Sequence, residues 1–309
     1  MQLVIILVIW TLFMFEPYKA EDAAPSRETD NSETLEYYEV KNYPGINEVD
    51  ENGKTPLIRA VSKGDYQSIP SLIIAGANPN LEGFGGETPL IYAAELGLSL
   101  TVNELLVGGA NLEHKSKMGK TALVCAVVGQ HPDVVQVLLR AGANADMKMP
   151  TSRSLLMLAS SMSSLSIVQQ LIEAGGKINY QDSEGSTSLM FASTQGFDQI
   201  IELLIKHKAD TEARTELGYT ALMFACSRGH MNAVKALIEN GADINAQDHF
   251  GQTALDRASE SGFSEVVNYL IENGIRVCDG RTYISAEASM KRMLFFQNNP
   301  HKIEAKNSC

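Results

Sequence analysis

The chain has 309 residues, more than one ordinary globular domain, and a net charge of −12. Residues 1–46 hold eight acids and three bases and residues 276–309 six bases and three acids, which leaves −10 on the body between them. A body that acidic disfavours a phosphate backbone as ligand and suits a partner with a neutral or basic surface.

The first element is apolar. Leu3 to Phe15 reads LVIILVIWTLFMF, thirteen residues with only Thr11 polar. That is short for a membrane span and suits the core of a signal peptide. Pro17 breaks the helix, and Ala20 stands where cleavage would fall. There is no basic segment in front, and Tyr18 is bulky for its place. Residues 1–20 are therefore read as a signal peptide or an N-terminal anchor. The expectation is a secreted or exported protein, with a cytoplasmic or membrane-anchored one as the alternative. Residues 21–46 read as an acidic flexible linker.

From residue 47 the chain repeats. Gly53, Gly86, Gly119, Gly185, Gly218 and Gly251 recur at multiples of 33 residues. Threonine follows two residues after each, and leucine two further on. Only the fourth unit slips, placing Ser152, Ser154 and Leu156 in those slots. A fixed period of this length marks a solenoid. Seven units follow, at 47–79, 80–112, 113–145, 146–178, 179–211, 212–244 and 245–275.

Each unit encodes a turn and two helices. In the second, Gly86 makes a turn, Thr88 is suited to cap a helix and Pro89 to begin it. That helix stops near Gly97, and Gly109 ends the next. The spacing predicts first helices near 56–62, 89–95, 122–128, 155–161, 188–194, 221–227 and 254–260. Three rows recur as core: Ala60 to Ala258, Ile69 to Val267 and Leu72 to Leu270. No unit can enclose its own apolar face, so stacking must supply the core.

These residues resemble the ankyrin-repeat family. Thr55-Pro56-Leu57 and Thr88-Pro89-Leu90 match the start of its T-P-L-H motif, and Gly241-Ala242-Asp243-Ile244-Asn245 matches its repeat ending. The resemblance implies an all-α solenoid of helix–turn–helix units with β-hairpin tips. It implies a protein–protein interaction module that binds its partner through tips and concave face. It covers about residues 47–275. The family's histidine is absent, replaced by Ile58, Ile91, Val124, Met157, Met190, Met223 and Asp256, which predicts the loss of its bonds between repeats. Pro70 falls in a second helix and predicts an irregular first unit. Asp256 is read as part of the polar outer face of the last. Ser152 and Pro150 make unit four the expected weak point. Residues 276–309 depart from the repeat and read as a capping helix and tail.

Chemistry is sparse. Gly53-Lys54-Thr55 and Gly119-Lys120-Thr121 resemble the end of a P-loop, but Glu48 and His114 stand where its first glycine belongs. The six histidines show no metal spacing. The four cysteines include no C-x-x-C, and Cys125 and Cys226 lie three repeats apart, beyond disulfide reach. No catalytic residue, cofactor or metal is assigned, and an enzyme is not expected. A structural spacer, or a secreted or membrane-directed effector, is the alternative to an interaction module. Large apolar residues beside the turn glycines, namely Phe84, Met118, Leu217, Tyr219 and Phe250, are the candidate partner-binding residues. The resemblance also implies a modification. Leu237, Asp243, Ile244 and Asn245 match what an asparaginyl hydroxylase of ankyrin repeats prefers, so Asn245 is a candidate for hydroxylation.

Overall fold

The computed structural model describes residues 45–149 and 151–274. Pro150, the signal or anchor at 1–20, all but the end of the 21–46 linker and the 276–309 cap lie outside them.

Fourteen helices fill the described residues in pairs. Unit one holds α1 (Pro56–Lys63) and α2 (Ser68–Ile74). Next come α3 (Pro89–Glu95) with α4 (Ser99–Val107), and α5 (Ala122–Val128) with α6 (Pro132–Arg140). Unit four holds α7 (Leu155–Ser160) and α8 (Leu165–Glu173), and unit five α9 (Ser188–Gln195) and α10 (Asp198–Lys206). Then follow α11 (Ala221–Arg228) with α12 (Met231–Glu239), and α13 (Ala254–Glu260) with α14 (Ser264–Glu272). First helices pack on first helices and second on second. The predicted first helices are met within a residue of each end.

Side-chain caps start these helices. The hydroxyls of Thr55, Thr121, Ser154, Thr187, Thr220 and Thr253 each accept the amide three residues on. Thr88 is the exception: it has the capping backbone, but its hydroxyl finds no partner. Pro70 lies in the first turn of α2, where no amide is needed for the helix, so its cost is far below that of an interior proline. The irregularity it predicts takes the form of a second helix of seven residues, where the other units have nine.

The three rows are the core. All seven alanines from Ala60 to Ala258 are buried, as are Val102, Val135, Val168, Ile201 and Val234 and the leucines from Leu105 to Leu270. Each fully buried leucine or valine contributes roughly 1.5–3 kcal/mol. Leu72 in unit one and Val267 in unit seven are half-buried.

Asp256 corrects an expectation. It is 1% exposed and faces inward. Its Oδ2 accepts from the Thr253 amide and hydroxyl, closing a capping box at α13. Other side chains do bond between repeats. His131 and His230, from a different slot, reach back 36 residues to the carbonyls of Glu95 and Thr194. A second row ties the first residue of a unit to the loop that ends it. Asn47, Asn80 and Asn179 each accept a backbone amide near the end of their own unit and donate to a carbonyl there. Glu113 and Glu212 accept the equivalent amide.

Among the described residues the tips form no strand. They are turns, with one isolated bridge between Lys148 and Ser154. Each is closed by a bond to a carbonyl four residues on, from Asp50 to Lys54 in the first and Asp248 to Gln252 in the last. Side chains at Asp50, Ser116, Asp182, Thr215 and Asp248 accept further amides of their own turns. Unit four has Met149 in that slot. Its Ser152 occupies the left-handed region at φ 61, where six other units place glycine. Lys208 stands in for glycine in the same way after α10, at φ 71.

Neighbouring tips also bond to each other. The amides of Lys117, Glu216 and His249 donate to Gly85, Glu184 and Leu217. Among the described residues no such bond reaches unit four from either side. The slot matching Lys117 is position 150, and proline has no amide hydrogen to give.

Candidate functional site

Tips and first helices share one face, because cation–ring contacts run between them. Lys54 Nζ sits 5.2 Å from the Tyr92 ring centroid, the Arg153 guanidinium 4.8 Å from that of Phe191 and that of Arg257 4.6 Å from Tyr219. Lys54, once a P-loop candidate, is thus occupied over a ring. Thr55 and Thr121 of the same candidate motifs are helix caps.

Four of the five tip residues singled out from sequence are exposed: Phe84 67%, Met118 71%, Leu217 49% and Phe250 67%. Phe84 is also partly engaged. A Cβ at Gly53 would come within 2.4 Å of its ring, so that ring lies against the preceding tip. Tyr219 differs. It is half-buried and packed on the core, meeting Phe224 edge to face at 5.8 Å beneath Arg257. The slot at the base of the tip explains this. Position 219 matches Lys54 and Arg153, whose side chains lie over first-helix rings, and Tyr219 meets a first-helix ring from the same slot.

The sequence reading missed a row on this face. Tyr92, Cys125, Leu158, Phe191 and Phe224 follow one another at 33-residue spacing along the first helices. Cys125 is buried and the other four are half-buried. Arg59 and Arg257 close the row at either end. The signal was available: apolar residues at a first-helix position outside the three core rows. Burial, with Glu87 and Glu95 nearby, raises the Tyr92 phenol pKa. Burial also pushes the Cys125 thiol up to about 11, with Glu95 adding to the effect.

Asn245 is half-buried, and its amide donates to Asp243 Oδ1. It occupies the bridging row of Asn47, Asn80 and Asn179. Cys125 and Cys226 are free and buried. Among the described residues, no cluster of histidine, cysteine and carboxylate could hold a metal, and no helix is long and apolar enough to cross a membrane.

What the arrangement can do is present surface. It offers a band of rings at the base, exposed apolar tips above it and charges between them. Comparison with known proteins bears on the fold that carries this surface. A family model described as ankyrin repeats, in three copies, matches residues 57–149, 141–215 and 189–280. No curated protein matches the chain. Among solved structures, the crystal structure of the human ASB11 ankyrin repeat domain is similar, with a TM-score of 0.63 and 23% identity. The match covers 70% of this chain and 98% of that one, and it shows the fold. With the repeat register, the paired helices and the family model in agreement, this chain belongs to the ankyrin-repeat family.

Proposed function

We propose that the array binds a protein partner across the face made by its tips and first helices. The observation that carries this is the continuous row from Tyr92 to Phe224, overhung by Met118, Leu217 and Phe250 at the tips. Apolar side chains this exposed, recurring along one edge, suit anchor residues in an interface. Where the tips are acidic, as at Glu82, Glu87, Glu184 and Glu216, the partner's surface is neutral or basic. The array works by shape and contact, and catalysis has no part in it.

Proximity labelling with the intact N-terminus tests this. The expected result is a recurrent protein neighbour whose capture depends on Leu217 and Phe250. Labelling that is indifferent to both would remove the tips as the binding site. The thirteen apolar residues from Leu3 to Phe15 favour delivery of this module into a secretory or export pathway. N-terminal sequencing of the mature protein tests that route. A new start near Glu21 supports it, and an intact Met1 on a cytosolic species contradicts it.

A further inference from the structure

We propose that the tips of units three and four form a cationic station for a short acidic segment of the protein partner. This rests on the protein-binding reading above and specifies its chemistry at one place. Lys115, Lys117 and Lys120 stand on the third tip, and Lys148 and Arg153 on the fourth. All five are exposed. The loops that carry them, 113–121 and 146–154, contain only two acids, Glu113 and Asp146. Both are engaged. Glu113 accepts the Asn144 amide at 2.9 Å, and Asp146 pairs with Lys177 at 2.6 Å.

Among the described residues, Arg153 is the one of the five cations with an ion pair, to Asp182 at 3.8 Å. Lys117 donates to the Phe84 carbonyl, and Lys148 lies 4.5 Å from the Tyr180 ring centroid. Neither contact neutralises its charge. Lys115 and Lys120 form no ion pair among the described residues. Successive layers of a helical stack lie roughly 8–10 Å apart, comparable to the Debye length of about 8 Å at physiological salt. Cations on the two tips therefore act as one field.

This field is isolated within an array of −10. Glu82 and Glu87 lie on the tip before it, and Glu184 and Glu216 on the two tips after. A long polyanion crossing the face would meet those carboxylates on both sides. An extended peptide advances about 3.3 Å per residue, so an acidic stretch of about three to six residues spans the station and stops short of them. Met118, 71% exposed among the lysines, adds an apolar contact for an aliphatic residue within that stretch. A peptide that mixes glutamate with leucine meets both features, whereas a nucleic acid meets only the charge.

The test uses the full chain and fluorescence anisotropy. The probes are a labelled peptide with glutamates flanking a central leucine pair, its arginine counterpart, and a single-stranded RNA oligonucleotide. The glutamate peptide should bind best, and binding should weaken as salt rises. Lys115→Gln, Lys120→Gln and Lys148→Gln combined should weaken it about tenfold or more, with the melting temperature unchanged. Lys206→Gln with Lys235→Gln, on second helices, should leave it intact. Equal binding by the triple variant overturns the proposal, as does preference for RNA or for the arginine peptide. If the glutamate peptide fails while partner affinity still depends on Phe250, only the station falls. If the peptide binds but the partner ignores Phe250 and Leu217, the station stands and the broader face does not.

Discussion

Arg257 of unit seven lies over the ring of Tyr219 in unit six, with 4.6 Å between guanidinium and centroid. The same guanidinium pairs with Asp248, whose side chain is fully buried, and the ring meets Phe224 edge to face. Tyr219 therefore ties two repeats together. Replacing it by alanine should cost about 2 kcal/mol of stability, less than a fully buried aromatic would. Phe250→Ala, at 67% exposure, should cost little. Thermal melts of the two variants check this. Equal melting temperatures would return Tyr219 to the free surface.

Unit four combines three defects at its tip: the Met149 side chain accepts no turn amide, Ser152 holds a left-handed backbone, and a proline at position 150 has no amide hydrogen to donate. Amides of α7 and α8 should exchange faster than those of α9 to α12. Ser152→Gly should stabilise the array by about 1 kcal/mol, since glycine carries no penalty at φ 61. Uniform protection, or a destabilised glycine variant, would contradict this.

Asn179 ties the start of unit five to its end through the Asp210 amide at 2.9 Å and the Lys208 carbonyl at 3.0 Å. The site is exposed, so water competes for these bonds. Asn179→Ala should lower stability by about 1 kcal/mol. Denaturant titration of the variant measures it, and an unchanged midpoint would show that the bridge is only geometric.

The Cys125 thiol, raised to about 11, should resist alkylation near neutral pH while the fold holds. A group with a raised folded pKa stabilises fully below its ordinary value, here 9.0, and loses that contribution as pH climbs towards about 11. Peptide mapping after timed alkylation should show Cys125 protected at pH 8 and labelled on unfolding. Rapid labelling of the native protein would mean that the first-helix face opens far more readily than its burial implies.

The register made the fold legible because each repeat states the same caps, turns and core positions seven times. Thr55 and its equivalents announced the helix starts, and Ala60 to Ala258 the packing. Asp256 was misread because its polarity suggested solvent, while its spacing from Thr253 matched a capping box. The candidate site was harder to read. Exposure at Phe84, Met118, Leu217 and Phe250 followed from their place beside a turn. The burial of Tyr219 depends on Phe224 and Arg257, one of them in another repeat, and no single unit displays that. Tyr92 to Phe224 escaped notice because an aromatic half-buried on a first helix carries the same residue types as the core.

The most direct test of the binding face is the equilibrium affinity of the labelled partner for the full chain and for Leu217→Ala with Phe250→Ala. Both side chains are exposed, so the double variant should melt with the native protein. The account predicts a loss of about 2 kcal/mol or more in binding at unchanged melting temperature. Undiminished affinity would contradict it.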